Sequence, residues 1–137
     1  MGETMIRDAK IEDFEILSQL EKCISKDMLK RKIENSEILI VIEDGKIIGW
    51  LRYNLFWDTH PFMNMLFVLE PHRGKGYGKK LVLEWEERMK EKNYELLMLS
   101  TMADEYSQHF YRKLDYRDAG SFILPSESLE IILVKEL

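Results

Sequence analysis

The chain has 137 residues, 45% hydrophobic and 33% charged, with a formal net charge of −5. That length can bury one core without disulfides or metal, and the acidic balance argues against a surface built as a whole to bind nucleic acid. One cysteine excludes a disulfide framework, three scattered histidines give no zinc-ligand spacing, and no apolar run approaches the ~20 residues of a bilayer span.

Met1 to Lys10 is polar and charged and lacks the apolar core of a signal peptide, so the cytoplasm is the expected location. Thr4 to Arg7 can form a short strand. Phe14, Leu17, Leu20 and Ile24 recur at helical spacing, and Cys23 falls in that pattern as a buried structural thiol. Ser25 is a good N-cap for a second helix carrying Met28, Leu29 and Ile33. Ile38 to Ile42 is a β-branched run, and Asp44-Gly45 then joins it to Lys46 to Trp57 as a hairpin. Phe62 to Leu69 reads as the next strand, ended by Pro71.

Gly78 to Lys92 predicts a helix with Leu81, Trp85 and Met89 on one stripe and the pairs Glu84/Arg88 and Glu86/Lys90 on the exposed side. Tyr94 to Thr101 has the apolar continuity of a central strand buried on both faces. Asp104 can cap a last helix on which Tyr106, Phe110 and Leu114 align. Tyr116 to Leu124 and Leu129 to Val134 read as two strands around a turn at Pro125 and Ser126. The order β-α-α-β-β-β-α-β-α-β-β, with no linker or repeat, predicts one α+β domain over residues 1–137. Its mixed, mostly antiparallel sheet would carry helices on its faces as three layers. The one crossover, Phe62 to Thr101, should place its two strands parallel and adjacent.

The chemistry concentrates in Val68-Leu-Glu-Pro-His-Arg-Gly-Lys-Gly-Tyr-Gly-Lys79, where a strand ends, three glycines alternate with other residues, and a helix begins. Glycines admit positive φ and let backbone N–H groups approach a ligand, while a helix N-terminus adds unpaired donors and a positive dipole end. Arg73, Lys75 and Lys79 add cationic charge, so a phosphate group is the natural guest. A Walker loop does not fit, because Gly74 and Gly78 stand one residue too close and Lys80 replaces the hydroxyl residue. A dinucleotide fingerprint fails at position 79, which is Lys.

Arg73, Gly76 and Gly78 do form Arg-x-x-Gly-x-Gly, which resembles the acyl-CoA signature of the GNAT superfamily of N-acetyltransferases. The resemblance extends over the chain through its element order and its last helix, where Asp104, Ser107, Phe110, Tyr111 and Tyr116 follow the family's Asn-x-x-Ala-x-x-Phe-Tyr motif and its aromatic sequel. It implies a GNAT-like fold with one splayed parallel strand pair and acetyl-CoA as co-substrate, without metal. By the same resemblance, Gly74, Lys75, Gly76, Tyr77, Gly78 and Lys79 bind the pyrophosphate with Arg73. Leu66, Phe67 and Val68 pair with the pantetheine like an added strand. Asp104 takes the place of the family's cofactor-binding Asn, and Tyr111 is the general acid that protonates the CoA thiolate. Tyr111 lies one helical step off the Tyr106/Phe110/Leu114 stripe, which suits a cleft edge.

A general base is missing from the family's usual positions, which here are Phe62 and Leu99. Asn64 cannot act as one, and Asp58 and His60, in the loop between strands, are left unassigned. The expected activity is direct transfer of an acetyl group to a primary amine of a small molecule or peptide, by a monomer or homodimer. A non-catalytic acyl-CoA-binding or sensing module is the alternative. Trp50, Tyr53, Phe56, Trp57 and Phe62 supply aromatic side chains around the expected acceptor cleft, most of them for the core.

Overall fold

The structure is a computed structural model that describes residues 3–137. Strands β1 (Thr4–Asp8), β2 (Ile38–Glu43), β3 (Lys46–Phe56), β4 (His60–Val68), β5 (Leu96–Met102), β6 (Arg117–Phe122) and β7 (Glu130–Glu136) accompany helices α1 (Phe14–Leu20), α2 (Lys26–Glu34), α3 (Tyr77–Glu91) and α4 (Ser107–Lys113). The strands form one sheet in the order β1-β2-β3-β4-β5-β7-β6. β4 and β5 are parallel, through Phe62↔Met98 and Met63↔Leu99, and both strands run on beyond that short ladder. The pairs β1–β2, β2–β3, β5–β7 and β6–β7 are antiparallel, so the mixed, mostly antiparallel sheet follows the predicted element order.

The chain divides into two compact units, one comprising the residues up to Tyr53 with Met65–Trp85, the other Asn54–Asn64 with Glu86–Leu137. In the first, Leu17, Leu29, Ile33, Ile38, Ile40 and Trp50 form a buried cluster. Ser25 caps α2 as predicted, its hydroxyl accepting the Met28 amide at 3.1 Å. Asp44 and Gly45 both take positive φ, 53° and 78°, as a tight turn between twisted strands requires. Gly49 has a different reason to be glycine: a Cβ there would lie 2.8 Å from the Phe67 carbonyl, so only a bare backbone lets β3 approach β4 this closely. α1 stops at Leu20, short of the predicted Ile24, because Glu21 turns to extended geometry. Cys23 is consequently exposed, which corrects the expectation of a buried thiol.

In the second unit, β3 ends at Phe56 because Trp57 and Asp58 take left-handed conformations, φ 53° and 58°, and turn the chain into β4. Trp57 is 77% exposed there, and therefore serves no core. β5 buries Leu97, Leu99 and Thr101 on one face and half-buries the other, rather than burying both. Glu86 is not on an exposed stripe. It is buried, with the Tyr116 hydroxyl donating to it at 2.9 Å and Lys135 Nζ at 3.0 Å.

Asp104 does not cap α4, which begins at Ser107 with Tyr106 at the N-cap position and no side-chain cap. The Asp104 carboxylate instead accepts the Ser128 hydroxyl at 2.7 Å. Starting the helix later leaves Tyr106 exposed and turns Ser107 and Tyr111, one i,i+4 pair, inward. The helix is closed after Lys113 by Asp115 at φ 73°, whose amide donates to the Arg112 carbonyl while that of Tyr116 donates to the Tyr111 carbonyl. This is a Schellman closure in which aspartate tolerates the conformation that glycine usually supplies.

Glu21 is the principal buried charge of the first unit. One oxygen accepts from Trp50 Nε1 and Arg52 Nε, both at 2.9 Å, and the other from the Cys23 amide at 2.9 Å. Burial alone would raise its pKa, but these hydrogen bonds outweigh burial and hold it below the ordinary 4.5. Its stabilisation is therefore present above that value and is lost as pH falls through the lower folded pKa. Glu21→Ala strands Arg52 and Trp50 without a partner and should cost about 3–5 kcal/mol. Urea unfolding checks this at neutral pH. Acid titration should show the wild type losing more stability than the variant.

Candidate active site

The β4–α3 junction is built to present backbone. Phe67 turns its carbonyl toward β3, and the Leu69 amide donates to the Ile48 carbonyl at 2.8 Å. Backbone groups alternate sides along a strand, so Leu66 and Val68 direct theirs away from β3. Phe67 stacks on Trp50 with ring centroids 5.1 Å apart, and the Arg73 guanidinium lies 4.9 Å from its centroid. Arg73 Nε donates to the Val68 carbonyl at 2.7 Å, folding the loop back on the strand it leaves.

Gly74 and Gly76 take φ 77° and 88°, and a Cβ on either would meet no atom within 4 Å. The left-handed backbone, rather than crowding, is what demands glycine here. The Lys80 amide donates to the Gly76 carbonyl at 3.1 Å, so the amides of Tyr77, Gly78 and Lys79 lie in the first turn of a 15-residue helix, where the helix offers them no acceptor. Glu43, at the end of β2, holds the helix side of this loop and comes near its other side. Its carboxylate accepts the Tyr77 hydroxyl, which pushes that phenol's pKa up, and the same oxygen lies 3.6 Å from His72 Nδ1.

In the second unit, Tyr111 is buried and its hydroxyl donates to the Met63 sulfur at 3.6 Å, a weak acceptor. This differs from the predicted cleft edge. Burial, with the Glu105 charge, pushes the phenol up to about 12. The ring meets Phe110 and Tyr116 edge-on, at 5.1 and 6.0 Å. Burial and Glu86 together push the pKa of Tyr116 far up, so Tyr116 is fixed as a neutral donor. Among the described residues no group of three or more His, Cys, Asp or Glu could hold a metal ion, and no helix is long and apolar enough to cross a membrane.

The Acetyltransferase (GNAT) family profile matches residues 4–116, most of the chain and every element of the junction just described. The chain belongs to the GNAT acetyltransferase family. Its chemistry is acetyl transfer from acetyl-CoA to an amine. It is similar to an uncharacterized N-acetyltransferase of Chlorobaculum tepidum, 23% identical over 133 residues that cover 92% of this chain and 83% of that protein. Its fold is similar to Ard1 from Thermoplasma volcanium, with a TM-score of 0.83 at 15% identity and coverage of 98% and 97%. It is equally similar to the NatC complex bound to Gag peptide and CoA, with a TM-score of 0.83 at 16% identity and coverage of 98% and 99%.

Of the GNAT residues expected from sequence, Leu66 through Lys79 form one continuous structure in the first unit, and Asp104 and Tyr111 lie in the second. Neither family base position holds an acid or imidazole: Phe62 is half-buried and Leu99 fully buried. Asn64 donates its amide to Asn54 at 2.9 Å. Asp58 is exposed in the left-handed turn and His60 half-buried at the start of β4. Sequence reasoning missed Glu43 and Gly49, whose roles arise from contacts with residues far along the chain. Replacing Gly76 by Glu should strain the φ 88° turn and set a carboxylate where the first-turn amides point. Calorimetry should then detect no CoA binding, with the fold retained by circular dichroism. Unchanged affinity would remove the loop from cofactor recognition.

Proposed function

We propose that this GNAT enzyme is a single domain that transfers acetyl by direct attack of a neutral primary amine on the acetyl-CoA thioester. The observation that carries this reading is the β4–α3 junction, with two left-handed glycines leading into a helix whose first amides have no intrahelical partner. In this reading Gly74 to Lys79 receive the pyrophosphate. Arg73 fixes the loop and adds charge, and Leu66 and Val68 pair with the pantetheine, the Leu66 amide facing the developing oxyanion. Phe67 contributes its ring, since its backbone is directed to β3. Asp104, engaged by Ser128 through one oxygen, has its other oxygen for the cofactor.

Tyr111 protonates the departing thiolate. Its hydroxyl is bound only to a thioether, a partner that a more basic sulfur displaces readily. No acyl-enzyme is invoked, because Cys23 is exposed and its chain neighbourhood supplies Glu21, not an activating base. The acceptor is a small-molecule or peptide amine, and the peptide choice is supported by the similarity to NatC, solved with a Gag peptide. Cytoplasmic location, supported by the polar and charged N-terminal segment, and a monomer or homodimer belong to the same proposal.

Thiol release from acetyl-CoA across a panel of amines tests the reaction; cofactor binding without release would instead make this an acyl-CoA-binding module. Tyr111→Phe should lower kcat about 10- to 1000-fold with acetyl-CoA affinity little changed. Equal turnover by both proteins would take Tyr111 out of the mechanism. With its pKa raised to about 12, the Tyr111 phenol keeps its proton through the working range. The wild-type rate should therefore show no decline from tyrosine ionisation between about pH 7 and 10. A decline over that range that vanishes in Tyr111→Phe would contradict the assignment.

A further inference from the structure

Among the described residues, one buried carboxylate oxygen has no hydrogen-bond partner, and it belongs to Glu130, the first residue of β7. The other oxygen accepts the Ser100 hydroxyl at 3.0 Å. A buried carboxylate oxygen left unpaired costs free energy, and such a group calls for a partner that arrives during function.

Strand geometry fixes its position. Glu130 pairs with Met102 of β5 and with Phe122 of β6, so these three side chains share a face, and Ser100, two residues before Met102, shares it too. The opposite face of β5 carries Leu99 and Thr101. Thr101 Oγ1 lies 2.7 Å from Ser107 Oγ, which puts α4 and Tyr111 on that side. Tyr111 reaches Met63, the ladder partner of Leu99, and Ser100 is the next residue of β5, ~3.3 Å further along the strand. The phenol and the carboxylate therefore stand at nearly one level of β5, on its two faces, where the β4–β5 ladder stops.

We propose that Glu130, held by Ser100, is the group that receives the acceptor's ammonium and takes its proton. This rests on the acetyl-transfer reading above. Met102 and Phe122 on either side of the carboxylate suit a primary ammonium carried on an apolar substituent. The proton passes from R–NH3+ to the Glu130 carboxylate, and the neutral nitrogen attacks the thioester carbonyl carbon. The C–N bond forms and the C–S bond breaks. Tyr111 gives its proton to the thiolate and regains one from the acylated nitrogen, and Glu130 releases its proton to water. The sum is one amide, one CoA thiol and one proton set free.

Glu130→Gln keeps the side chain's size and an oxygen for Ser100 but cannot take the proton. The experiment compares two amines of similar shape that the wild type acetylates, an alkylamine protonated at the assay pH and an alkoxyamine already neutral there. For the alkylamine, kcat/KM should fall about 100-fold, while the alkoxyamine should be little affected and CoA affinity by calorimetry unchanged. Glu130→Asp should recover part of the alkylamine rate, and Ser100→Ala should lose part of it. An equal loss for both amines would make Glu130 a structural anchor of β7 and overturn the inference, as would full alkylamine activity in Glu130→Gln. Either result leaves acetyl transfer standing. A wild-type enzyme that releases no thiol with any amine would overturn the transfer reading and this inference together.

Discussion

Between Val68 and Lys80 the backbone passes from strand to helix, and the amides of Tyr77, Gly78 and Lys79 in the first turn have no acceptor within the helix. A segment like that has little regular hydrogen bonding to hold it, so its position depends on side chains around it. Arg73 ties the loop to the Val68 carbonyl and to the Phe67 ring, and Phe67 stacks on Trp50. Trp50 in turn donates to Glu21, the buried carboxylate that also holds Arg52. On the other side, Glu43 reaches Tyr77 and His72 from the β2–β3 hairpin. Gly49 completes the arrangement by letting the strand that carries Phe67 lie close against β3. The loop proposed to receive the pyrophosphate is thus a backbone feature made rigid by a chain of aromatic, cationic and anionic side chains.

The second unit spends its buried polar groups differently. Tyr116, Glu86 and Lys135 satisfy one another in the interior, and Tyr116 braces Tyr111 through both its ring and its backbone amide. That network is closed. Tyr111 and Glu130, by contrast, are each only partly satisfied, one bound to a thioether and one with a lone buried oxygen. Groups left short of partners in an otherwise satisfied interior are the ones available for chemistry.

Local signals read well from the residues. Ser25 capped its helix, Asp44-Gly45 made its hairpin, and the Leu81/Trp85/Met89 stripe was buried. Each depends on neighbours within a turn or two. Reading failed where a distant residue decided the outcome. Glu86 fits an exposed i,i+4 pair by spacing, yet Tyr116 and Lys135 claim it. Asp104 looks like a cap, yet Ser128 takes its carboxylate and α4 starts three residues later. Cys23 sits on a helical stripe that Glu21 ends by turning toward Trp50 and Arg52.

The sequence by itself determined the element order and the glycine-rich turn, because backbone conformation and spacing are local properties, and the family resemblance carried by that turn implied the cofactor. It also pointed to Tyr111, through a short motif that starts at Asp104 and runs along α4. Tertiary structure alone decided the surroundings that give these residues their properties: the burial that raises the Tyr111 pKa, the carboxylate clamp on the loop, and the alternation that turns Leu66 and Val68 outward. It alone brought Glu130 beside Ser100, thirty residues earlier in the chain. Strand register, set by β5–β7 pairing over its whole length, places those two side chains on one face, and nothing in either residue's own neighbourhood encodes that meeting.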